Sequence, residues 1–237
     1  MAEPRQLLIT PVTGPPGAGK TTALLSLDQQ HPWLARFGVR DYGLYLSSIG
    51  DPLGLELRDT LLKQELLSNE LVLREFVHFL QRVPSSVLAV AVEGYPRDLA
   101  QCHDFAQAVQ SAGARMAAFV FIEVPDSVAR ARVAVRRLCL ACGLPLDLAV
   151  TGACLDCGGP AGRRGDDDTR RFEQRLAEYR EVSAPVREHF AERGHLRTVD
   201  GQQSSAQVRE TLTALLSAGR NLEPEKRATM VSGGSLA

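Results

Sequence analysis

One segment near the N-terminus restricts the fold of this chain more than any other part of the sequence. It runs Gly14-Pro15-Pro16-Gly17-Ala18-Gly19-Lys20-Thr21-Thr22 and satisfies the pattern G-x-x-x-x-G-K-[ST]. An apolar run from Leu7 to Val12 precedes it and is typical of a buried strand, and the residues from Ala23 to Leu27 suit a helix. A strand, a glycine-rich loop and a helix in this order predict a phosphate-binding loop, because loop amides and a helix N-terminus attract anions.

Two side chains of this loop have the chemistry that phosphoryl transfer uses. Lys20 carries a full positive charge that can reach the β- and γ-phosphates of a nucleotide, and the Thr21 hydroxyl can bind Mg²⁺. The alternative is a glycine- and proline-rich turn that ends in lysine. The strand before the loop and the helix after it favour the nucleotide site.

Length and composition limit the number of domains, the possible partners and the location of the protein. The 237 residues suit one domain with a small insertion, and the formal net charge of −1 argues against a general nucleic-acid-binding protein. No apolar run approaches the ~18 residues that a membrane-spanning helix needs. The N-terminal residues lead directly into a strand, so we expect no signal peptide. We therefore expect a cytoplasmic protein with no nucleic-acid partner and no membrane partner, and we also expect a monomer.

Apolar runs alternate with helical segments along the chain. Val87–Val92 and Ala118–Val124 are continuous apolar runs, which are typical of central strands in a parallel sheet covered on both faces. A shorter strand is predicted at Leu44–Leu46. A long charged helix is predicted from Asp168 to Arg193, with a kink or break at Pro185. Strands alternating with helices predict an α/β fold, a parallel sheet covered by helices on both faces.

Four of the five cysteines form two Cys-x-x-Cys pairs, Cys139 with Cys142 and Cys154 with Cys157, separated by eleven residues. In a reducing compartment such pairs favour metal coordination over disulfide bonds. Four thiolates complete a tetrahedral Zn²⁺ site with no open position, which indicates a structural role. The alternative is four thiols without a ligand.

Polar residues follow the strand Val87–Val92 as Glu93-Gly94-Tyr95-Pro96-Arg97. Ligands of open α/β sheets bind at the carboxyl ends of the strands. Glu93 can hold Mg²⁺ through water, and the planar fork of Arg97 can bind a phosphate, although the segment also suits an ordinary turn. Further arginines are concentrated between Arg130 and Arg180. They suit either a solvated helix face or a site that stabilises phosphoryl transfer, and the phosphate loop favours the second interpretation.

These segments together resemble the adenylate kinase family, from about Leu7 to Leu216. The matching pieces, in order, are GPPGAGKTT, QELLSNELV, EGYPRDLAQ, VPDSVARARVAVRR, CLAC, CLDCGG, RGDDDTRRFEQRLAEYREVSAP and VDGQQ. The resemblance implies a P-loop NTPase-type core, an arm that binds the monophosphate and a lid that closes over both nucleotides. It also implies the reaction of ATP with AMP to give two ADP with Mg²⁺, and in some members a lid that carries Zn²⁺ on four cysteines.

The resemblance divides the chain into parts. The core is expected to comprise residues 1–138 and 166–216, with the arm at about 44–82 inside it. The lid is expected at 139–165 with a structural Zn²⁺, and residues 217–237 are expected to form a disordered tail.

The resemblance also assigns residues to roles. The implied ATP-binding residues are Gly14, Pro15, Pro16, Gly17, Ala18, Gly19, Lys20, Thr21, Thr22, Arg132, Arg136 and Gly201. The implied acceptor-binding residues are Ser48, Leu67, Gly94, Arg97, Gln101, Arg164 and Arg175. The group around the transferred phosphoryl is implied to be Lys20, Arg97, Arg132, Arg164 and Arg175, with Asp166 and Asp167 beside the arginines.

Two features depart from the family pattern. Thr21 follows the loop lysine where the family usually has glycine. In the arm, the family pattern is roughly T-G-D-x-L-R, then a helix, then G-S-x-L-G. With a strand at Leu44–Leu46, this chain goes from Ser48 through Gly50 directly to Gly54, and about nine residues and the acceptor-binding arginine are expected to be missing. Two alternatives to an AMP kinase therefore stay open: a kinase of another nucleotide or small metabolite, and a nucleotide sensor without turnover.

Overall fold

The computed structural model describes residues 6–63, 65–141, 144–146, 152–155, 157–163 and 167–218. Most of the predicted tail, residues 219–237, therefore lies outside the described residues. The elements in chain order are β1 (Leu8–Thr13), α1 (Lys20–Gln30), β2 (Leu34–Gly38), α2 (Val39–Ser48), α3 (Pro52–Leu62), α4 (Asn69–Leu80), β3 (Ala89–Glu93), α5 (Leu99–Ser111), β4 (Arg115–Met116), β5 (Phe119–Glu123), α6 (Asp126–Val135), β6 (Arg137–Cys139), β7 (Pro145–Leu146), β8 (Ala161–Gly162), α7 (Thr169–Glu192), β9 (Leu196–Asp200) and α8 (Ser205–Ser217).

The main sheet is parallel throughout its described pairs, in the order β2-β3-β1-β5-β9, and the short β4 also pairs with β1. The strand before the phosphate loop, β1, lies in the middle of this order. Because all strands run the same way, the loops after β1, β2, β3 and β5 leave at one edge of the sheet. The predicted α/β class with a parallel sheet is confirmed.

Apolar side chains pack on both faces of the sheet. Along β3, Ala89 and Ala91 belong to the core on one face, which also contains residues of α1, α6, α7 and α8. Val90 and Val92 belong to the core on the other face, with residues of α4 and α5. Alternate residues of a strand point to opposite faces, so a strand buried on both sides is apolar at every position. This is why the continuous apolar runs predicted the central strands correctly.

The strand predicted at Leu44–Leu46 is wrong, because these residues lie inside helix α2. The sequence analysis also missed β2, a five-residue edge strand that pairs with β3. The three residues of the predicted strand have strand-forming composition, but Gly43 and Leu46 are buried one helical turn apart. Packing of this helical face against neighbouring elements overrides the local propensity.

Helix α7 is not broken at Pro185, where the sequence favoured a kink or break. Proline removes one backbone hydrogen bond and weakens a helix, but buried side chains on both sides of Pro185 keep α7 continuous. Here Phe172 and Leu176 are buried before the proline, and Val186 and Phe190 are buried after it.

Helices α2 and α3 meet at Gly54. A Cβ atom on this residue would lie 2.1 Å from the backbone nitrogen of Ser47 and 2.3 Å from the carbonyl carbon of Leu46. The turn between the helices ends at Asp51, whose carboxylate caps α3 by accepting a hydrogen bond from the Leu53 amide at 2.9 Å. Only a residue without a side chain permits this approach of two backbones.

We expect Gly54→Ala to destabilise the protein, because the added methyl group forces α2 and α3 apart. Overpacking of this kind costs about 1–3 kcal/mol, which urea unfolding measures as a lower midpoint. The matched control is Asp59→Ala on the exposed side of the same helix, which we expect to leave the midpoint nearly unchanged. A Gly54→Ala variant as stable as the Asp59→Ala variant would contradict the described packing.

A second, small sheet follows α6. It is antiparallel, in the order β7-β6-β8, and its first strand, β6, ends at Cys139. Among the described residues, no helix is both long enough and apolar enough to cross a membrane.

Candidate active site

The loop between β1 and α1 wraps closely against α6. Gly17 has φ of 86°, and a Cβ there would lie 2.8 Å from the carbonyl oxygen of Ala129 and 3.0 Å from Cγ2 of Val133. Glycine is required both for the backbone angle and for the approach. Lys20 begins α1, and its Nζ donates hydrogen bonds to the carbonyl oxygens of Gly14 at 2.6 Å and Pro15 at 3.0 Å. The ammonium group is therefore held over the loop.

The environment of Lys20 is strongly positive. The pKa of its ammonium group is lowered from 10.5 to about 8, mainly by burial and also by the charges of Arg97, Arg175 and Arg136, while the charge of Glu93 opposes this shift. Several cations placed together disfavour one another, and a polyanionic ligand relieves this repulsion. The site is thus electrostatically suited to a polyphosphate.

The floor of the site is a set of hydrogen-bonded side chains at the ends of β2 and β3. The Thr21 hydroxyl donates to Oε1 of Glu93. The other carboxylate oxygen of Glu93 accepts from Nε of Arg36 at 2.7 Å, and Nη2 of Arg36 contacts both Glu93 and Asp41. A hydroxyl and a carboxylate side by side are hard oxygen donors, which is the donor set that Mg²⁺ takes. Thr21 and Glu93 therefore fit the Mg²⁺ that accompanies a nucleotide.

Arginines of α6 and α7 face this floor. Arg132 donates to the carbonyl oxygens of Gly201 at 2.7 Å and Ala18 at 3.4 Å, which joins α6 to the loops after β1 and β9. Arg136 binds Asp167 through two nitrogens, one at 2.8 Å, and Nη1 of Arg175 lies 4.0 Å from the same carboxylate. The Asp167 side chain is fully buried, so it orients guanidinium groups from both sides of the insertion at 139–165.

On the side of α5, the predicted acceptor residues form a connected group. Nε of Arg97 donates to the carbonyl oxygen of Gly94 at 2.8 Å, and the backbone amide of Arg97 donates to Oε1 of Gln101 at 2.8 Å. Nε2 of Gln101 in turn donates to Asn69 at 2.8 Å. Asn69 begins α4, so this chain of hydrogen bonds links α4 to the start of α5 beside Arg97.

Most of these groups surround one cleft of about 1040 Å³. Most of the predicted site residues that the structure describes line it: Pro16, Gly17, Ala18, Gly19, Lys20, Thr21, Thr22, Ser48, Gly94, Arg97, Arg132, Arg136, Arg175 and Gly201. Gly14 and Pro15 contribute the carbonyl oxygens that hold Lys20, Gln101 is buried behind Arg97, and Leu67 packs against the core between α4 and the sheet. The predicted residues Cys142, Arg164 and Asp166 lie outside the described residues.

Arg36 and Asp41, two of the charged residues on the cleft, were not among the residues predicted from the sequence. Both depend on β2, since Arg36 is in this strand and Asp41 follows its carboxyl end by three residues. Recognising the short apolar-flanked strand after Pro32 would have placed both at the ligand-binding edge of the sheet.

Helix α2 changes the interpretation of the arm. Asp41 stands in the first turn of this helix, where the family pattern T-G-D-x-L-R has its aspartate. In that register the final arginine of the pattern corresponds to Leu44, and G-S-x-L-G corresponds to the residues from Gly50 to Gly54. A helix is present between these two positions, which favours an arm of full length over the predicted nine-residue deletion. Leu44 lines the cleft at the position that this register gives to the arginine.

The cysteine insertion has the geometry of a metal site. The sulfur atoms of Cys139, Cys154 and Cys157 all lie within 4.8 Å of one another, and those of Cys139 and Cys157 are 3.4 Å apart. A tetrahedral Zn²⁺ with Zn–S bonds of about 2.3 Å requires sulfur atoms close to these separations. A Cβ on Gly159 would lie 2.8 Å from Sγ of Cys139, so a glycine is needed where the chain turns around the sulfur atoms.

Comparison with known proteins agrees with this geometry. The family model described as Adenylate kinase matches residues 12–195. The protein named Adenylate kinase from Rhizorhabdus wittichii is 31% identical over 86% of this chain and 96% of its own length. Those of Moorella thermoacetica (30% identical; 81% of this chain, 89% of the relative) and Carboxydothermus hydrogenoformans (28% identical; 83% and 94%) are also similar. The family match includes the phosphate loop, the arm, the cysteine insertion and α7.

Proposed function

Because this chain belongs to the adenylate kinase family of ATP-dependent phosphotransferases, we propose that it transfers the γ-phosphoryl group of ATP·Mg²⁺ to AMP and yields two ADP. One observation carries the proposal. The ammonium group of Lys20 lies in the same cleft as Arg97, Arg132, Arg136 and Arg175, with Thr21 and Glu93 at its floor. A site that only bound a nucleotide would not need so many cations converging where a phosphoryl group is transferred.

The residues act by position and charge. In the transfer, an oxygen of the AMP phosphate bonds to the γ-phosphorus while the bond to the β–γ bridging oxygen breaks, and ADP leaves. The migrating group and both phosphate oxygens carry negative charge, which Lys20 and the arginines stabilise most strongly when the cleft is closed to water. Thr21 and Glu93 would hold the Mg²⁺ that accompanies ATP, and the ion would supply positive charge that neutralises the phosphates.

The acceptor side supports a nucleoside monophosphate. Arg97 lines the cleft beside Gly94, whose carbonyl oxygen accepts a hydrogen bond from Nε of Arg97 at 2.8 Å, and a planar guanidinium group in this position can bind a phosphate. The acceptor base would lie toward Gly94, Gln101 and Leu67, and Ser48 lines the arm side of the cleft. Arg164 and Asp166 are proposed to join the group through the family pattern.

A coupled assay with purified protein tests the proposal and its two alternatives. We expect ATP-dependent formation of ADP with AMP as the preferred acceptor. Activity with another monophosphate or a small metabolite alone would support the second kinase hypothesis. Tight ATP binding by calorimetry with no turnover for any acceptor would support the sensor hypothesis and overturn the proposal.

The missing arm arginine has a kinetic consequence. A charged hydrogen bond contributes about 1.5–3 kcal/mol, so its loss weakens AMP binding by roughly ten- to a hundredfold. We expect Leu44→Arg to lower KM for AMP by about tenfold or more, with KM for ATP little changed, as measured by steady-state kinetics. The neighbouring Tyr45→Arg variant adds the same charge at a side chain that is 56% exposed, and it serves as the control.

The outcome at Leu44 depends on whether other arginines already hold the acceptor phosphate. Arg40 and Arg58 line the cleft on the side of α2 and α3, and Nη1 of Arg40 donates to the carbonyl oxygen of Leu61 at 2.6 Å. If Leu44→Arg leaves KM for AMP unchanged while Arg58→Ala or Arg40→Ala raises it, that arginine performs the role. If none of the three variants alters KM for AMP, the assignment of this side of the cleft to the acceptor is wrong.

For the insertion we propose a structural Zn²⁺ bound by Cys139, Cys142, Cys154 and Cys157. The support is the close grouping of the three described sulfur atoms. We also propose that residues 139–165 act as a lid, with residues 1–138 and 166–216 as the core. Arg136 and Asp167, at the two ends of the insertion, are joined by a hydrogen bond of 2.8 Å and would form its hinge. Hydrogen exchange should slow at these ends when a bisubstrate analogue binds.

A cytoplasmic location and a monomeric state complete the proposal. The location is supported by thiol ligands, which a reducing compartment preserves. Light scattering on the purified protein checks the oligomeric state.

A further inference from the structure

One arginine of the cleft lies between two carboxylates. Arg36 is in β2, and its side chain is only 7% exposed. Its Nε donates to Oε2 of Glu93 at 2.7 Å, and its Nη2 contacts the same oxygen at 2.5 Å and also Oδ2 of Asp41. The guanidinium group therefore spans from the strand end that carries Glu93 to the first turn of α2.

The backbone is shaped to accept this guanidinium group. A Cβ on Gly38 would lie 2.8 Å from Nη2 of Arg36 and 3.2 Å from its Cζ. Any side chain at this position would push the group away from the two carboxylates. Arg36 is thus seated in a fixed place and does not lie along the surface as most arginines do.

The contacts of Arg36 continue to the phosphate loop. The second carboxylate oxygen of Glu93 accepts the hydrogen bond of Thr21, the residue directly after Lys20. Asp41 belongs to α2, the helix that leads into the arm. A single side chain therefore connects the loop that binds the donor with the helix on the acceptor side.

The charge balance shows what Arg36 does. Both carboxylates contact the same nitrogen, so their oxygens are separated by at most two hydrogen-bond lengths, about 6 Å. Two carboxylates at such a distance repel each other, and together they attract a divalent cation through hard oxygen ligands. The guanidinium group occupies the position that such a cation would take, and it neutralises one of the two charges.

We propose that Arg36 is a positioning residue that serves as a built-in cation between Asp41 and Glu93. It keeps the Glu93 carboxylate directed at Thr21 and prevents a free divalent cation from binding before the nucleotide. The divalent cation at Glu93 is then the one that arrives with the donor phosphates. The kinetic part of this inference rests on the proposed function, and the metal-binding part does not.

The direct test is a titration of the nucleotide-free, zinc-loaded protein with Mn²⁺, followed by electron paramagnetic resonance. Mn²⁺ prefers oxygen ligands and avoids the thiolate site. We expect Arg36→Met and Arg36→Gln to bind one Mn²⁺ at least about tenfold more tightly than wild type, because two unneutralised carboxylates remain. Arg36→Lys should resemble wild type, because the ammonium group restores the charge. Adding Asp41→Asn to Arg36→Met should abolish the gain.

The control is Arg74→Met, which breaks a bidentate pair with Glu56 on the exposed surface between α3 and α4. It should change neither Mn²⁺ binding nor kinetics. In the proposed reaction, Arg36→Met should lower kcat more than it changes KM for ATP, and Arg36→Lys should recover part of kcat.

Two results would overturn the inference. The first is folded Arg36→Met or Arg36→Gln protein that binds Mn²⁺ no more tightly than wild type. The second result needs no Arg36 variant. If the nucleotide-free wild-type protein binds Mn²⁺, and if Glu93→Gln abolishes this binding, Arg36 does not exclude the cation. A chain inactive with every acceptor would contradict the proposed function and leave both binding results interpretable.

Discussion

Replacing Lys20 with methionine is expected to lower kcat by roughly 10²–10³-fold, the typical loss when one group that stabilises developing charge is removed. The variant keeps most of the side-chain stem and removes the ammonium group that Gly14 and Pro15 hold over the loop. Because the charge acts most strongly in the transition state, KM for ATP should change much less than kcat. Steady-state kinetics with ATP and AMP measure both. A variant within a few-fold of wild type would mean that the loop does not hold the transferred group.

The fold should survive this substitution. The pKa of Lys20 is lowered from 10.5 to about 8 by burial and by neighbouring arginines. The folded protein therefore binds this proton less tightly than the unfolded chain, so the lysine costs stability below pH 8, and this cost disappears as the pH rises toward 10.5. Lys20→Met should consequently be no less stable than wild type at pH 7 by thermal unfolding. Lys63→Met, at the exposed end of α3, is the matched control and should leave kcat unchanged.

Loss of the metal is expected to have the largest effect on the insertion. Wild-type protein should contain one Zn²⁺ per chain by elemental analysis, and Cys154→Ser should contain far less. Structural zinc sites contribute an apparent binding free energy of about 10–16 kcal/mol in small peptides, so a short glycine-rich segment cannot keep its fold without the ion. Calorimetry should show a lower unfolding temperature for Cys154→Ser, and the proposed lid should lose protection from hydrogen exchange.

A variant of the remaining cysteine, Cys102, is a control that distinguishes the effect of losing the metal from the effect of losing packing. Cys102 is buried in α5, away from the insertion, and burial raises the pKa of its thiol to about 12. Cys102→Ala should therefore lower stability through a small cavity while leaving the zinc content at one per chain. Equal zinc content in wild type and Cys154→Ser, with the same unfolding temperature, would exclude the proposed site.

The sequence by itself determined the phosphate loop, the central strands and the cysteine pairs, because each depends on residues that are close together in the chain. The phosphate loop needs only glycines, a lysine and a hydroxyl at fixed spacing, and the chain between β1 and α1 follows from them. The central strands β3 and β5 were recognisable because a strand buried on both faces is apolar at every position. The two Cys-x-x-Cys pairs are equally local, since spacing within each pair sets which sulfur atoms can share one metal.

Other features were decided only by the tertiary structure. Leu44–Leu46 favours a strand by composition, yet it forms helix α2 because Gly54 lets α3 approach its backbone, and this contact is not visible in either segment alone. The same helix places Leu44 on the cleft. In the sequence, nothing distinguishes Arg36 from other residues of a short strand, and its role depends on the sheet order that places β2 beside β3. Only then does its guanidinium group meet Glu93, 57 residues away in sequence, because pairing between distant strands depends on the whole packed sheet.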